Sequence, residues 1–251
     1  MNEARWRFTT IAHAGRAMLG PVSDASADAI LSRIPEPGPA RVLDVGCGKG
    51  ALLVRALERW GGTGVGIEPN PTFAADARAL AEQRLGPGRV RIIEAEFAQE
   101  VVDGETFPLV ICTGALHAFG DGGATPEGIL QLMALGGHVL VGPGYWRRWP
   151  AREYLATTGI PFGEFEKLPD LLAKIEAESW RCVAVHESTP AEWDDYEESY
   201  ATRVRTWCDA NPVDPDAAPF RDRITRWADA YTRWGRDTMG YALLLLTRAE
   251  R

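Results

Sequence analysis

The sequence contains only three lysines, Lys49, Lys167 and Lys174, so arginine supplies most of its positive charge. Acidic residues outnumber basic residues by 35 to 27, which gives a formal net charge of −8 at pH 7. A protein that binds nucleic acid needs clustered Lys and Arg side chains against the phosphates. The composition therefore disfavours a nucleic-acid substrate.

Closely spaced cysteine pairs and long apolar runs are also missing, and no signal peptide is expected. The four cysteines form no C-x-x-C pair, so a zinc site is not expected and no motif requires a metal. No apolar stretch approaches the about 20 residues of a membrane helix, and the N-terminus lacks the pattern of a signal peptide. We therefore expect a cytoplasmic monomer or homodimer that binds a small molecule and contacts no membrane.

The most informative segment is a glycine-rich turn that follows a short apolar run. Arg41 to Val45 predicts a buried strand, the turn continues to Gly50, and a helical pattern covers Ala51 to Trp60. Glycine permits a sharp turn and lets a ligand approach the backbone closely. Open α/β sheets bind nucleotide-like cofactors at such strand ends.

The glycine spacing alone fits two cofactors. Gly46, Gly48 and Ala51 satisfy the dinucleotide pattern G-x-G-x-x-G/A, and Glu68 follows a second strand where a ribose-binding acid belongs. An NAD(P)-dependent oxidoreductase is therefore one alternative. Asp44 favours another ligand, because a carboxylate inside the strand end would repel a pyrophosphate but attract a cation.

A third acidic position strengthens the preference for a cation. Arg89 to Ile93 predicts another strand, and Glu96 and Phe97 follow it. Glu96 can meet an adenine amine while Phe97 lies beside the base. S-adenosylmethionine carries an ammonium and a sulfonium, lacks phosphate and keeps the adenine and ribose. The alternative is that these acids are solvated loop residues.

These motifs resemble those of the class I S-adenosylmethionine-dependent methyltransferases over roughly residues 38–145. The resemblance rests on Val42–Gly50, Gly66–Glu68, Glu94–Phe97 and Val110–His117, and two further segments, Ala115–Gly120 and Gly142–Trp146, are similar to a bacterial small-molecule subgroup. It implies S-adenosylmethionine as cofactor and S-adenosylhomocysteine as product. The fourth strand ends without the acid that many members have, so no acid–base role is implied there.

We expect the cofactor to contact residues at the ends of the first four strands. The predicted cofactor-binding residues are Asp44, Gly46, Cys47, Gly48, Glu68, Pro69, Asn70, Glu96, Phe97, Thr113 and Gly114.

The alternation of strand and helix patterns predicts an α/β fold of a single domain, residues 1–251. We expect a Rossmann-like seven-stranded sheet, mostly parallel with an antiparallel last strand, and helices on both faces. The predicted strands are 41–45, 64–68, 89–94, 108–113, 138–142, 182–187 and 239–247. Residues 1–35 form an N-terminal helical lid, 38–188 and 238–249 the core, and 189–237 a helical cap insert between strands six and seven.

The insert begins with a strong helix signal and carries aromatic residues at helical spacing. Thr189, Pro190 and Glu192 form a capping box with proline at the first helical position. A stripe of Trp193, Tyr196, Tyr200, Val204 and Trp207 follows. We expect the insert, the lid and Tyr145-Trp146 to cover the methyl group. The alternative is that the two insert helices pack only on each other or on a partner subunit.

Methyl transfer is an in-line displacement, so the enzyme must chiefly align the reactants and exclude water. A general base helps only where an acceptor O, N, S or C atom arrives protonated. The catalytic candidates are His117, His13 and Tyr145. The predicted substrate contacts are His13, His117, Tyr145, Trp146, Trp193, Tyr196 and Tyr200. A non-catalytic relative that retains the cofactor is a further alternative.

Overall fold

The computed structural model describes residues 3–97, 102, 104–119 and 127–249. The chain divides into two compact units. The helical unit comprises Met1–Val22, Gly144–Leu168 and Ser188–Gly240; the sheet unit comprises Ser23–Pro143, Pro169–Glu187 and Tyr241–Arg251. No helix within the described ranges combines the length and apolar character needed to cross a membrane.

The helices are α1 (Glu3–Ala12), α2 (Asp24–Leu31), α3 (Ala51–Trp60), α4 (Pro71–Leu85), α5 (Glu127–Leu132), α6 (Arg152–Thr158), α7 (Leu168–Ala177), α8 (Pro190–Ala210), α9 (Ala217–Ala230) and α10 (Arg236–Thr238). The strands are β1 (Arg41–Val45), β2 (Thr63–Ile67), β3 (Val90–Ile93), β4 (Phe107–Cys112), β5 (Met133–Val141), β6 (Gly144–Trp146), β7 (Trp180–Glu187) and β8 (Met239–Arg248).

The sheet runs in the order β3-β2-β1-β4-β5-β8, and β7 pairs with the other side of β8. Strands β1 to β5 are parallel, whereas β8 is antiparallel to both β5 and β7. The predicted Rossmann-like fold is therefore confirmed. The order reverses between β1 and β4, and in an open sheet of this kind ligands bind at the carboxyl ends of the strands beside that point.

Local sequence signals explain why the elements around this point form. Four consecutive leucines, Leu243–Leu246, are fully buried in β8, as expected for a strand covered on both faces. Ser23 caps α2, and the Asn70 side chain accepts hydrogen bonds from two amides at the start of α4, as predicted. Gly50 begins α3 with a φ of +78°, a left-handed conformation that glycine adopts without strain.

The largest differences from the prediction in the sheet unit concern α5, β5 and α2. The pattern of residues 126–135 predicts a helix, but α5 ends at Leu132 and β5, predicted from residue 138, already starts at Met133; Pro126 lies outside the described residues. A register shift opposite Phe107 and Leu109 lets β5 accommodate the extra residues as a bulge. Helix α2 belongs to the sheet unit rather than to the lid, because Arg55 of α3 forms ion pairs with its acidic residues.

The helical unit contains the expected pair of insert helices and two elements that the sequence patterns did not predict. Thr189 forms the predicted capping box at the start of α8. Asp214 followed by Pro215 is a pattern that can cap a helix, but α9 begins at Ala217 with Asp216 as its cap residue, and the Asp214 side chain accepts from the Asp216 amide. Short elements β6 and α6 were missed, since three and seven residues give little periodic signal.

The buried stripe of α8 lies beside the predicted one. Its buried residues are Trp193, Glu197, Ala201, Val204 and Cys208, while Tyr196, Tyr200 and Trp207 are only partly buried. Both sets have i, i+3 and i+4 spacing, so periodicity could not separate them. The stripe therefore places a carboxylate in the interior of the helical unit.

Candidate active site

The turn after β1 is held by backbone hydrogen bonds to the neighbouring strand. The amides of Gly46 and Cys47 both donate to the Ile67 carbonyl, at 2.9 and 3.0 Å. Gly46 has a φ of +70°, and a Cβ at this position would overlap with the Cβ of Ala115 after β4. Only glycine fits this close approach. Because the turn follows β1 and Ala115 follows β4, the contact lies at the point where the strand order reverses.

Glu68 fixes the same turn from the end of β2. Its carboxylate is 7% exposed and accepts from the Gly48 amide at 2.9 Å and from the Asn70 amide at 2.8 Å. Each carboxylate oxygen has two lone pairs, so capacity remains for a ligand hydroxyl. Burial raises the pKa of Glu68, and the two amide hydrogen bonds oppose that rise.

Asp44 is the most unusual residue of the site. Its side chain is 1% exposed, and its Oδ1 atom has no hydrogen-bond partner in the described part of the chain. Burial, together with the charge of Glu68, raises the pKa of Asp44 to about 8. An uncompensated carboxylate in the interior is costly, so this position is suited to a ligand that brings positive charge.

The three acids predicted at successive strand ends interact in the structure. The charge of Glu68 contributes to the raised pKa of Asp44, and the charge of Glu96 contributes to that of Glu68. Beside them, the rings of Phe97 and Phe119 lie 4.6 Å apart between centroids. Asp44 and Glu68 are buried, whereas Glu96 is exposed. These acids and the adjacent aromatic rings fit a cationic, adenine-bearing molecule and would repel a pyrophosphate.

The segment after β4 adds residues of different exposure. Thr113 is partly buried and hydrogen-bonds the hydroxyl of Tyr241, while Gly114 has a φ of +96°. His117 is exposed on the 3₁₀ turn Leu116–Phe119. Tyr241 was not predicted, although an antiparallel last strand must begin at the cofactor edge, and a polar residue at its start was an available signal.

Two other predicted cofactor residues have local roles in the turn. Cys47 is buried, and its Sγ atom donates to the Gly48 carbonyl at 3.8 Å; burial raises its thiol pKa well above the ordinary value. Pro69 is partly buried between the Glu68 carboxylate and the cap residue Asn70. These residues shape the turn, and their contact with cofactor stays a prediction.

In the helical unit, the buried side chain of His13 is hydrogen-bonded to the partly buried Tyr196. The Nδ1 atom of His13 lies 2.9 Å from the Thr9 carbonyl oxygen, and its Nε2 atom lies 3.1 Å from the Tyr196 hydroxyl. A carbonyl only accepts, so the neutral ring carries its proton on Nδ1 and its Nε2 accepts from Tyr196. The T-shaped contact of His13 with Tyr200, at 5.1 Å, completes this aromatic group.

The other predicted substrate residues of the helical unit are largely buried. Trp146 is fully buried and donates its indole N–H to the Phe162 carbonyl at 3.3 Å, so its described contacts are those of packing. Tyr145 packs against the backbone of Gly240. Trp193 is 8% exposed, and its buried indole N–H has no acceptor within the described residues. Substrate contact by these side chains stays a prediction.

The sheet order, the glycine turn and the acids at the strand ends define a class I methyltransferase fold. Residues 42–137 match the family model described as a methyltransferase domain. Solved structures that are similar over nearly the whole chain are S-adenosylmethionine-dependent methyltransferases. The alternative of an NAD(P)-dependent oxidoreductase has no support in these similarities.

Two of the similar proteins match nearly the whole chain, and a third matches less than half of it. The uncharacterized protein YjhP of Escherichia coli K12 is 29% identical over 243 residues, covering 96% of this chain and 97% of its own. A methyltransferase of Geobacter sulfurreducens, solved with S-adenosyl-L-homocysteine, superposes with a TM-score of 0.89 at 27% identity. The match covers 96% of this chain and 98% of that protein. Nocamycin O-methyltransferase of Saccharothrix syringae is 36% identical over 113 residues, which are 43% of this chain and 39% of that protein.

Proposed function

We propose that this protein is an active enzyme that transfers a methyl group from S-adenosylmethionine to a small-molecule acceptor. The observation that carries the proposal is the buried Oδ1 atom of Asp44, which has no partner in the described residues. When bound, S-adenosylmethionine supplies a methyl group activated by a positively charged sulfur. Asp44 and Glu96 provide negative charge for that cofactor, and Glu68 offers its remaining lone pairs to the ribose.

We further propose that residues of the helical unit bind the acceptor. His13 accepts from Tyr196 through Nε2, so it can receive a proton that the Tyr196 hydroxyl takes from a protonated acceptor. His117 of the sheet unit is the other candidate base, and its exposure leaves its ring open to a ligand. The name of nocamycin O-methyltransferase supports a small organic acceptor, because it describes a relative with such an acceptor.

Calorimetric titration of the whole chain tests the cofactor assignment. S-adenosylhomocysteine should bind and NAD⁺ should give no heat of binding. The Asp44→Ala variant should bind at least about 100-fold more weakly, because loss of one member of a buried charge pair costs about 3 kcal/mol or more. Asp28→Asn is the matched control, since Asp28 is exposed and pairs only with Arg55 among the described side chains. Undiminished affinity in Asp44→Ala would refute the assignment.

Enzymatic activity needs a separate test. The protein can be incubated with S-adenosylmethionine labelled in its methyl group and a small-molecule extract, and the products examined by mass spectrometry. Labelled products should appear with wild type and with Asp28→Asn, but not with Asp44→Ala. Tight cofactor binding without transfer to any compound of broad acceptor panels would favour the non-catalytic alternative.

A further inference from the structure

The helical unit contains a cavity that is lined in part by two predicted substrate contacts, Tyr196 and Tyr200. Its volume is about 120 Å³, well below the roughly 300–1,000 Å³ of sites that enclose a whole ligand. A cavity of this size fits a head group of a few heavy atoms. Its lining residues are Phe8, Tyr196, Glu197, Tyr200, Arg223, Ile224 and Trp227.

Glu197 is the only carboxylate that lines the cavity, and it is 6% exposed. Its Oε2 atom accepts from the indole N–H of Trp227 at 2.8 Å. No lysine, arginine or histidine of the described ranges forms an ion pair with it, and burial raises its pKa to about 7. Burying a carboxylate without a cation is costly, and a hydrogen bond to a neutral indole offsets only part of that cost.

The lining also includes the cationic residue Arg223, which forms no ion pair with Glu197 among the described contacts. The guanidinium of Arg223 lies over the ring of Phe8, 4.0 Å from its centroid. A purely structural role for residue 197 would be fulfilled by glutamine, whose amide oxygen can accept from Trp227 equally well. An ionisable carboxyl group at this position therefore needs an explanation.

The other walls suit a cation. Tyr196, Tyr200 and Trp227 contribute aromatic rings, and the negative face of an aromatic ring attracts ammonium groups within about 6 Å. Of the two charged side chains that line the cavity, the Glu197 carboxylate is buried and Arg223 is exposed to solvent, which screens its charge. A buried carboxylate with aromatic walls is suited to an alkylammonium group.

We propose that this cavity binds the alkylammonium head group of the methyl acceptor, with Glu197 as its counter-ion and the aromatic side chains as its walls. Its identity as the acceptor site rests on the proposed function, whereas its preference for an organic cation does not. The acceptor is accordingly a small compound that carries an ammonium group in addition to the separate nucleophilic atom that takes the methyl group.

Ligand-observed NMR on the full chain tests this preference directly. Tetramethylammonium, tert-butanol and trimethylacetate have similar shapes but are cationic, neutral and anionic, and each gives one sharp methyl signal. Saturation transferred from the protein should reach tetramethylammonium, with an affinity at least about tenfold higher than for the other two. Equal transfer to all three, or preference for trimethylacetate, would overturn the proposal.

A pair of neighbouring variants locates the effect. Glu197→Gln keeps the acceptor for Trp227 and should lower the tetramethylammonium affinity at least about tenfold. Glu198→Gln removes an exposed charge from the next position of α8 and should leave it unchanged. Unchanged affinity in Glu197→Gln would contradict the proposal. The three-ligand comparison on wild type decides the matter even where a variant does not fold.

Titration with S-adenosylhomocysteine separates this proposal from the proposed function. Both variants should retain wild-type affinity for S-adenosylhomocysteine. Residues 197 and 198 belong to the helical unit and are not among the cofactor contacts proposed above. Cofactor binding without selectivity for tetramethylammonium would refute the cavity assignment alone. Selectivity for tetramethylammonium without cofactor binding would refute the proposed function and leave the cation site in place.

Discussion

The Asp44→Asn variant should make the cofactor-free protein more stable while it abolishes cofactor binding. Asparagine matches the shape of the protonated carboxyl group that burial favours at this position. In wild type, ionisation of Asp44 lowers the free energy of the unfolded chain above its ordinary pKa, whereas the folded chain keeps Asp44 protonated up to about pH 8. The variant has no such difference between its folded and unfolded states.

The magnitude follows from the pKa of Asp44, which rises from 3.8 to about 8 on folding. A raised carboxyl pKa contributes stability that is complete below 3.8 and is lost as the pH rises towards 8. Between 3.8 and pH 7, at about 1.36 kcal/mol for each pH unit, wild type loses about 4 kcal/mol. For a chain of this length, that difference corresponds to roughly 10 °C in melting temperature.

Thermal and urea unfolding of both proteins without cofactor, from pH 4 to pH 9, measures this effect. The two stabilities should converge near pH 4, diverge by about 1.4 kcal/mol for each pH unit, and run parallel above about pH 8. Asp28→Asn controls for a general effect of removing one negative charge. A variant that is less stable than wild type, or a difference that does not change with pH, would refute the reasoning about Asp44.

Three further substitutions probe the site. Gly46→Ala should lower the free energy of unfolding by about 2–4 kcal/mol in urea titrations, because the added Cβ overlaps with Ala115 at a positive φ; an unchanged stability would contradict the described turn. Tyr196→Phe should cost no more than about 1.5 kcal/mol of stability but lower kcat at least about tenfold if His13 receives a proton through it; an unchanged kcat and pH profile would exclude that path. His117→Ala should reduce turnover while cofactor affinity stays within several-fold, and full turnover with the native acceptor would remove His117 as a base.

The sequence predicts the sheet unit well because its signals are local. A glycine turn after an apolar run, and a cap residue followed by proline at Asn70, act within a few residues of where they stand. The acids at the strand ends could also be placed, since parallel strands all present their carboxyl ends at one edge. What the sequence could not show is that one oxygen of Asp44 has no hydrogen-bond partner among the residues that the structure describes, because this depends on every neighbouring element at once.

The helical unit was less predictable for a physical reason. Helix α8 has two overlapping stripes of suitable spacing, and only packing against α1 and α9 decides that Glu197 rather than Tyr196 lies innermost. Aromatic residues dominate the stripe that contains Tyr196, so a prediction based on hydrophobicity selects that stripe and not the buried one. The pairing of His13 with Tyr196, 183 positions apart in the chain, likewise leaves no trace in local periodicity.

The most direct test of the central claim is the number of protons released when wild type binds S-adenosylhomocysteine at pH 6.5. Calorimetry in buffers of low and high ionisation enthalpy measures that number. Asp44, with a pKa of about 8, is protonated in the free protein at this pH and must ionise to receive a cation, whereas the amino group of the ligand is already protonated. The account predicts the release of close to one proton. Binding without proton release would contradict it.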